Sequence, residues 1–130
     1  MKRVMSGWML GIAAVVAVGV GARVVEAADP VVVGPHIYKV VFENERVRVS
    51  EATFAPGAKI PMHEHPDHFV YVITPGKLKL SYPDGRAVEF NAVPGKVTWI
   101  PAEMHAGENI GTTEVKLLVT ELKPLPAYKP

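Results

Sequence analysis

Four of the five histidines in the sequence have a spacing that suits metal binding. His63, His65 and His68 fall within one short stretch, and His105 follows later in the chain. Side chains two positions apart on a strand point to the same face, so His63 and His65 are expected to lie together while Glu64 points away. His105 must then come from a neighbouring strand to complete a triangle of nitrogen ligands. These residues predict a metal site, and the alternative is that the first two belong to a solvated polar loop.

The predicted ligands also restrict which ion would bind. Neutral imidazoles favour Zn²⁺, Fe²⁺, Ni²⁺ and Cu²⁺ over Mg²⁺ and Ca²⁺, which prefer oxygen ligands. Three protein ligands leave positions open for water or a small-molecule ligand. His68 is the candidate for a fourth ligand. A bulge near Pro66 and Asp67 would turn it inward, whereas regular strand alternation would turn it outward and leave that place to water.

Several other residues near this stretch have two possible roles. Glu103 is expected to be either an exposed loop acid, or a group that orients a histidine or acts as a general base. His36 stands alone near the start of the chain and is expected to be a surface residue. Phe69, Tyr71 and Trp99 are expected to be core residues, and lining of a pocket is the alternative.

The segments that carry these residues alternate between polar and apolar residues with the period of β-strands. Residues 46–54 show this most clearly, and Pro-Gly or Asp-Gly turns separate many of the segments. Closely spaced short strands with such turns predict an all-β barrel or sandwich. The predicted strands span residues 37–43, 46–54, 59–63, 68–74, 77–82, 87–90, 96–100 and 114–122, with 29–36 as an extended arm or edge strand and 101–109 as a loop or short irregular crossing.

The first residues have the pattern of a secretory signal peptide. Lys2 and Arg3 precede an apolar run rich in Gly, Ala and Val, and small residues follow around Ala27. Cleavage is expected after Ala27, with Ala28 as the alternative. An uncleaved membrane anchor is the other interpretation, although a spanning helix needs about 20 apolar residues. Either way, the folded part is expected outside the cytoplasmic membrane, either periplasmic or secreted.

The charge of the chain argues against partners that need a basic surface. The sequence has 14 basic and 13 acidic residues, and residues 1–27 contain three of the basic and one of the acidic ones. Subtraction leaves 11 basic and 12 acidic residues, a net charge of −1, so we expect no nucleic-acid or membrane binding after cleavage. The absence of cysteine means that an exported domain must be stabilised by its core, a metal or a partner subunit.

Two blocks of the sequence resemble the two motifs of the cupins. The first is Gly57, five residues, His63, one residue, His65, three residues, Phe69, six residues and Gly76; the second is Gly95, five residues, Pro101, then His105, three residues and Asn109. The resemblance covers residues 31–122. It implies a small single-domain cupin, in which a double-stranded β-helix, or jelly roll, directs the motif histidines into the mouth of a barrel. The domains expected are a signal peptide (1–27), an N-terminal arm (28–36), the cupin barrel (37–122) and a proline-rich tail (123–130).

The sequence departs from the cupin pattern at two places. The position that Phe69 occupies is usually a glutamate that binds the metal, and phenylalanine has no donor atom. The loop before His105 is one residue shorter than usual and has Glu103 where glycine is typical. The ligands predicted from the resemblance are therefore His63, His65 and His105, with His68 as the possible replacement for the glutamate. Asn109 is expected to fix the loop by hydrogen bonds rather than to contact a ligand.

Three functions remain compatible with these residues. The first is binding of a divalent transition metal, a small-molecule ligand or both, and the missing glutamate favours it. The second is a metal-dependent enzyme, of the dioxygenase or isomerase and lyase types, acting on a small organic substrate. The third is a structural domain with degenerate motifs. A homodimer is expected from the proline-rich ends, the small core and the habit of the family.

Overall fold

The computed structural model describes residues 28–125 and residue 127, and the predicted signal peptide lies outside them. This part of the chain forms one helical turn and nine strands. No helix within it is long and apolar enough to cross a membrane. The elements are α1 (Pro30–Val33), β1 (Tyr38–Glu43), β2 (Val47–Phe54), β3 (Lys59–His65), β4 (His68–Val72), β5 (Gly76–Ser81), β6 (Ala87–Ala92), β7 (Val97–Ile100), β8 (Glu103–Asn109) and β9 (Val115–Leu122).

The strands form two antiparallel sheets that face each other. One sheet has five strands in the order β1-β2-β9-β4-β7, and the other has four in the order β3-β8-β5-β6. Burial alternates along the central strands, as on β9, where every second side chain from Val115 to Glu121 is buried. The inner faces enclose the core, which confirms the prediction of an all-β double-stranded β-helix. The most buried apolar residues include Ala52, Phe54, Ile60, Val72, Leu78, Val115 and Val119.

The segment predicted to be extended, 29–36, instead begins with a helical turn. Asp29 caps this turn, since its Oδ1 accepts a hydrogen bond from the Val31 amide at 2.8 Å, and Pro30 occupies the first helical position. Three consecutive valines concealed this Asp-Pro signal, because β-branched residues favour strands. The prediction of an extended conformation was therefore wrong for residues 30–33.

The segment predicted to be a loop or irregular crossing, 101–109, contains the regular strand β8. This strand pairs with β3 on one side and β5 on the other. Its inward side chains are His105, Gly107 and Asn109. None of these is a typical core residue, so the period-two pattern was present in the sequence but did not have its usual apolar composition.

Three aromatic residues predicted to be core or pocket lining lie on the outer face of the five-stranded sheet. Phe69, Tyr71 and Trp99 have exposed fractions of 40%, 43% and 46%. On β4, the buried side chains are His68, Val70 and Val72, so the two aromatic residues between them must point outward. The prediction failed because the apolar run 68–74 was interpreted as buried on both faces.

Candidate metal centre

Three histidines meet on the inner face of the four-stranded sheet. His63 and His65 are buried on β3, and exposed Glu64 lies between them, as the alternation predicts. Strand β8 runs antiparallel to β3 and places His105 directly opposite His63. One donor nitrogen from each of the three histidines lies within 4.8 Å of the other two. The structure thus brings together the triangle that the sequence predicts.

Each of the four inward histidines is held at Nδ1 by an oxygen atom. A neutral imidazole carries one N–H, so donation from Nδ1 leaves Nε2 with a free lone pair. This tautomer is the one that metal-binding histidines adopt when an oxygen acceptor orients them. The Nδ1 partners are the Pro61 carbonyl for His63 at 2.8 Å, Glu121 Oε1 for His65 at 2.7 Å, the Pro66 carbonyl for His68 at 2.7 Å and Glu103 Oε1 for His105 at 2.8 Å.

The spacing of two of these nitrogens fits a shared cation. Nε2 of His63 and Nε2 of His65 lie 3.0 Å apart. When both Nδ1 atoms carry the proton that they donate to oxygen, the two Nε2 lone pairs face each other, and either a proton between them or a metal ion relieves their repulsion. Two imidazole nitrogens bound to one metal at about 2.0–2.1 Å are separated by about 2.8–3.4 Å at octahedral to tetrahedral angles. The donor set therefore fits a transition metal.

Burial favours the neutral form of His63, His68 and His105 by lowering their pKa values, and the neutral form is the one that binds metals. Burial lowers the pKa of His63 to about 4, and neighbouring His105 and His65 reinforce the effect. Burial also lowers the pKa of His105 to about 3, together with His65 and His68. The pKa of His68 is lowered mainly by the same cause. At neutral pH, these three imidazoles need lose no proton to bind a cation.

His68 points into the barrel but is not one of the three mutually close histidines. The strand alternation is interrupted at Pro66 and Asp67, and β4 restarts at His68 with its side chain inward. Its ring lies 4.7 Å from the ring of His65, between centroids. The inward orientation agrees with the bulge that the sequence suggested. The structure places His68 beside the triangle, with its Nδ1 bound to the Pro66 carbonyl.

A buried carboxylate that sequence reasoning missed supports the site from β9. Glu121 accepts hydrogen bonds from His65 Nδ1 at 2.7 Å and from Arg48 Nε at 2.6 Å. Burial would raise its pKa, but these two hydrogen bonds outweigh it and keep the pKa below the ordinary value. Arg48 in turn donates to Asp29 at 2.6 Å. The N-terminal segment is thus linked through two side chains to a predicted ligand.

The sequence did contain a signal for this carboxylate. Val115, Leu117 and Val119 are the inward residues of β9, and Glu121 continues the same alternation. An acid in register with core residues must be paired when buried. Tyr38 was also missed. It is buried, with its ring 5.9 Å from that of His63, and burial followed by the charge of Glu121 raises its pKa.

Four other residues considered from the sequence have clear places. Glu103 orients His105, which favours the orienting role over that of an exposed loop acid. Asn109 is buried and donates to the carbonyls of Phe54 and Thr113, so it fixes the loop as expected. His36 is exposed, as predicted. Phe69 packs against Trp99 outside the barrel, so the motif position of the missing glutamate does not face the site.

A small cavity adjoins the histidines. Its volume is about 40 Å³. A buried water needs roughly 10–15 Å³ by this measure, so the space suits an ion with a few waters rather than a bulky organic molecule. Apart from the four histidines, its walls are mostly apolar, and they include Tyr38, Phe54, Val70, Leu80, Ile100 and Val119.

Comparison with known proteins supports the family that the motifs suggest. The family model described as "Cupin domain" matches residues 50–121, which is more than half of the chain. The chain belongs to the cupin family. A crystal structure of a cupin domain from Bordetella pertussis Tohama I is 33% identical, with a TM-score of 0.64, covering 68% of this chain and 93% of that one.

Other solved structures share the fold at lower sequence identity. An RmlC-like cupin with a double-stranded β-helix from Methanocaldococcus jannaschii is 16% identical, with a TM-score of 0.55, covering 66% of this chain and 78% of that one. The polyketide cyclase RemF from Streptomyces resistomycificus is 25% identical, with a TM-score of 0.53, covering 68% of this chain and 66% of that one. No functionally curated protein matches the chain.

Proposed function

We propose that this cupin is an exported protein that binds one divalent transition metal through Nε2 of His63, His65 and His105. The observation that carries this proposal is the pair of Nε2 atoms 3.0 Å apart in a buried site, on two rings whose Nδ1 atoms both have an oxygen partner. A metal ion between them would use both lone pairs as ligands at a suitable separation. The cavity that adjoins the histidines would leave room for water or a small ligand on the ion.

The donor set also restricts which metals would bind. Three neutral imidazoles with no directly coordinated carboxylate favour Zn²⁺, Fe²⁺, Ni²⁺ or Cu²⁺. Glu121 and Glu103 would not bind the ion directly. Each accepts the Nδ1–H of a ligand histidine and so raises the basicity of its Nε2. The two carboxylates thus place negative charge near the ion without coordinating it.

Metal binding is tested by its effect on stability. Metal that binds only the folded state raises the free energy of unfolding, by about 2.7 kcal/mol at a free metal concentration one hundred times Kd. Thermal unfolding of protein stripped with a chelator should therefore shift upward with at least one of the four metals. The double variant His63→Ala/His65→Ala should show no shift.

The matched control for this experiment is His36→Ala, which removes an exposed histidine outside the site. It should keep the full stabilisation by metal. An unchanged unfolding temperature of the parent protein with all four metals would remove metal binding from the account. Equal responses of the double variant and the control would place the metal elsewhere.

A second candidate function is a metal-dependent enzyme acting on a small organic substrate. The coordination positions that three protein ligands leave open favour it, and RemF is described as a polyketide cyclase. The metal would supply Lewis-acid or redox chemistry when bound. The chain's own contribution would be to hold the ion and to exclude bulk water from it with apolar walls.

Turnover separates the two candidates. Metal-loaded protein would be screened against small aromatic, keto-acid and polyketide-like compounds, with consumption followed by mass spectrometry. An enzyme should convert at least one compound at a rate that His105→Ala abolishes. Binding of metal without turnover across this panel would favour the binding function.

Export forms part of the proposal and rests on residues 1–27. Ala28 accepts a hydrogen bond from the Glu64 amide at 3.0 Å, and Asp29 pairs with Arg48. Cleavage after Ala27 retains both contacts, whereas cleavage after Ala28 removes the first. The full chain should be expressed in a bacterium and its N-terminus read by mass spectrometry. Residue 28 should come first in the periplasmic form, and an intact leader on a membrane-bound form would contradict cleavage.

A further inference from the structure

The wall of the cavity beside the histidines contains a phenol to which the metal site assigns no role. Apart from the four histidines, Tyr38 is the only residue lining this cavity, among those that the structure describes, whose side chain has a hydrogen-bonding group. Its ring lies 5.9 Å from the ring of His63 and 5.8 Å from that of His65, between centroids. The phenol therefore stands beside two of the three predicted ligands.

The histidines have no hydrogen bond to donate to a molecule in the cavity. In the three predicted ligands, Nδ1 is held by an oxygen and Nε2 would bind the ion. A ring that is occupied at both nitrogens presents only C–H groups to its surroundings. His68 donates from Nδ1 to the Pro66 carbonyl, so its Nε2 accepts a hydrogen bond and does not donate one. A ligand on the ion therefore has one donor within the described wall, the hydroxyl of Tyr38.

This hydroxyl makes no side-chain hydrogen bond within the described part of the chain, although the residue is 6% exposed. A buried tyrosine hydroxyl usually has a partner. Thr98 Oγ1 is the one side-chain oxygen or nitrogen of the described residues that is fully enclosed without a partner. Tyr38 Oη is not enclosed in that way, so it contacts open space, and the cavity that Tyr38 lines supplies this space.

The hydroxyl acts as a donor at neutral pH. A phenol in water keeps its proton up to about pH 10. Burial raises the pKa of Tyr38, and the charge of Glu121 raises it further. Hydrogen bonds to an ionised acceptor are roughly twice as strong as those between neutral groups, so this donor favours an anion over a neutral molecule.

The charge and the size of the site also favour a small anion. A divalent ion brings two positive charges, and three imidazoles bring none. Glu103 lies behind one imidazole, whereas Glu121 is already paired with Arg48. Positive charge therefore remains on the side of the ion that faces the cavity, where the walls are mostly apolar and cannot offset it. The cavity volume of about 40 Å³ corresponds to about three water-sized groups.

We propose that Tyr38 selects the non-protein ligand of the metal, and that this ligand is a small anion which binds the ion and accepts a hydrogen bond from Tyr38 Oη. This inference rests on the proposed metal binding and adds the class of ligand to it. The competing explanation is that Tyr38 only packs in the core, where its ring meets the edge of Phe54 at 6.4 Å between centroids.

The test is the affinity of the Cu²⁺-loaded protein for azide, a linear anion of three nitrogen atoms. Cu²⁺ is chosen because nitrogen sites bind it most tightly among the divalent candidates, and azide bound to Cu²⁺ gives a visible charge-transfer band. Tyr38→Phe removes the hydroxyl and keeps the ring that packs on Phe54. We expect it to raise the Kd for azide by about 10–100-fold, as for loss of a hydrogen bond to a charged group. Its affinity for Cu²⁺ should stay close to that of the parent protein.

The matched control is Tyr71→Phe, which removes the same hydroxyl from a half-exposed residue on the outer face of the five-stranded sheet. It should bind azide like the parent protein. Equal azide affinity in the two variants, or no azide band with the Cu²⁺-loaded parent, would overturn the inference and leave metal binding intact. Titration with Cu²⁺ before azide is added detects the other failure, since a parent protein that binds no Cu²⁺ loses the metal site and this inference with it.

A crystal structure of the parent protein with Cu²⁺ and azide gives a measurement that does not depend on the folding of a variant. We expect one azide nitrogen on the ion and one azide nitrogen at about 3 Å from Tyr38 Oη. Azide on the ion with no contact to this hydroxyl would assign Tyr38 to the core and overturn the inference.

Discussion

The interior of this barrel has two ends that are built from the same strands but differ in chemistry. On β3, Ile60 lies at the apolar end and His63 and His65 lie at the polar end. On β4, Val72 lies at the apolar end and His68 lies at the polar end. The backbone distinguishes the two ends on β3, because Ile60 and His63 both point inward although they are three residues apart, and the pairing with β8 shifts register between them. A local break in the alternation and a change of residue type together separate the packed core from the candidate metal site.

The two ends also differ in what holds them together. At the apolar end, hydrophobic burial stabilises the fold without further partners. At the polar end, every imidazole needs an oxygen at Nδ1, and the network extends outward through Glu121 to Arg48 and Asp29. We therefore expect the polar end to govern metal affinity and the apolar end to govern stability. Four predictions test that division, from the largest expected effect to the smallest.

Loss of a ligand should have the largest effect. His105→Ala removes one of the three close nitrogens and should weaken metal binding by more than the about 10–100-fold that loss of an orienting partner causes. Competition with a coloured chelator measures the affinity. His68→Ala is the matched comparison, because this side chain lies beside the triangle, and its effect should be smaller. If the two variants lost the same amount of metal affinity, His68 would be a ligand like His105.

Truncation at the apolar end should affect stability instead. Ile60 is 2% exposed and lies against Gly107 and Gly34. Ile60→Ala should lower the free energy of unfolding by about 2–5 kcal/mol, because it leaves a cavity in the core. Urea unfolding measures this change. Metal affinity under native conditions should stay close to that of the parent protein, and a collapse of affinity would show that the two ends are not separable.

Acid should lower the free energy of unfolding of the metal-free protein, because the histidines at the polar end are buried in their neutral form. The pKa values of His63 and His105 in the folded state, about 4 and about 3, lie below the ordinary value of 6.5. Between pH 6.5 and these values, the unfolded state binds more protons, so stability falls as the pH falls. Each tenfold difference in a protonation constant is worth about 1.4 kcal/mol, so each of the two histidines contributes a loss on the order of 3 kcal/mol by about pH 4.

Urea unfolding of the metal-free protein from neutral pH to about pH 4 measures this loss. The variant His63→Ala/His105→Ala should lose less stability over the same range, because it lacks the two buried groups. If the parent protein and the variant had the same dependence on pH, the loss would come from other groups.

The smallest effect is expected from the orienting carboxylate. Glu121→Gln keeps the shape of the side chain but removes the charge that strengthens His65 as a ligand. Metal affinity should fall by about 10–100-fold. Glu51→Gln is the control, since it neutralises a carboxylate of an exposed ion pair on the outer face. Equal affinity in the two variants would show that Glu121 has a structural role only.

The sequence predicted the parts of the fold that follow a regular pattern. Alternation placed His63 and His65 on one face, and the cupin spacing placed His105 near them. Strand β8 was missed because its inward side chains are imidazole, hydrogen and amide rather than hydrocarbon. Strands are recognised in a sequence by alternating polar and apolar residues. A strand whose inward side chains form a binding site lacks that alternation, because its inward residues are polar or small.

The remaining features depend on contacts between distant parts of the chain. Glu121 and Arg48 meet only because β2 and β9 are neighbours in the sheet. The outward orientation of Phe69 depends on where β4 begins after the break at Pro66. Neither could be derived from local pattern alone, although an acid at an inward position of β9 was a usable signal.

The central claim is that three Nε2 atoms hold one metal ion. Crystals of the protein grown with Zn²⁺ and measured at the zinc absorption edge test it most directly. We predict one anomalous peak at about 2.0–2.1 Å from Nε2 of His63, His65 and His105, with Nδ1 of each still bound to its oxygen. No peak at the triangle in crystals that contain zinc, or a peak bonded to Nδ1, would contradict the account.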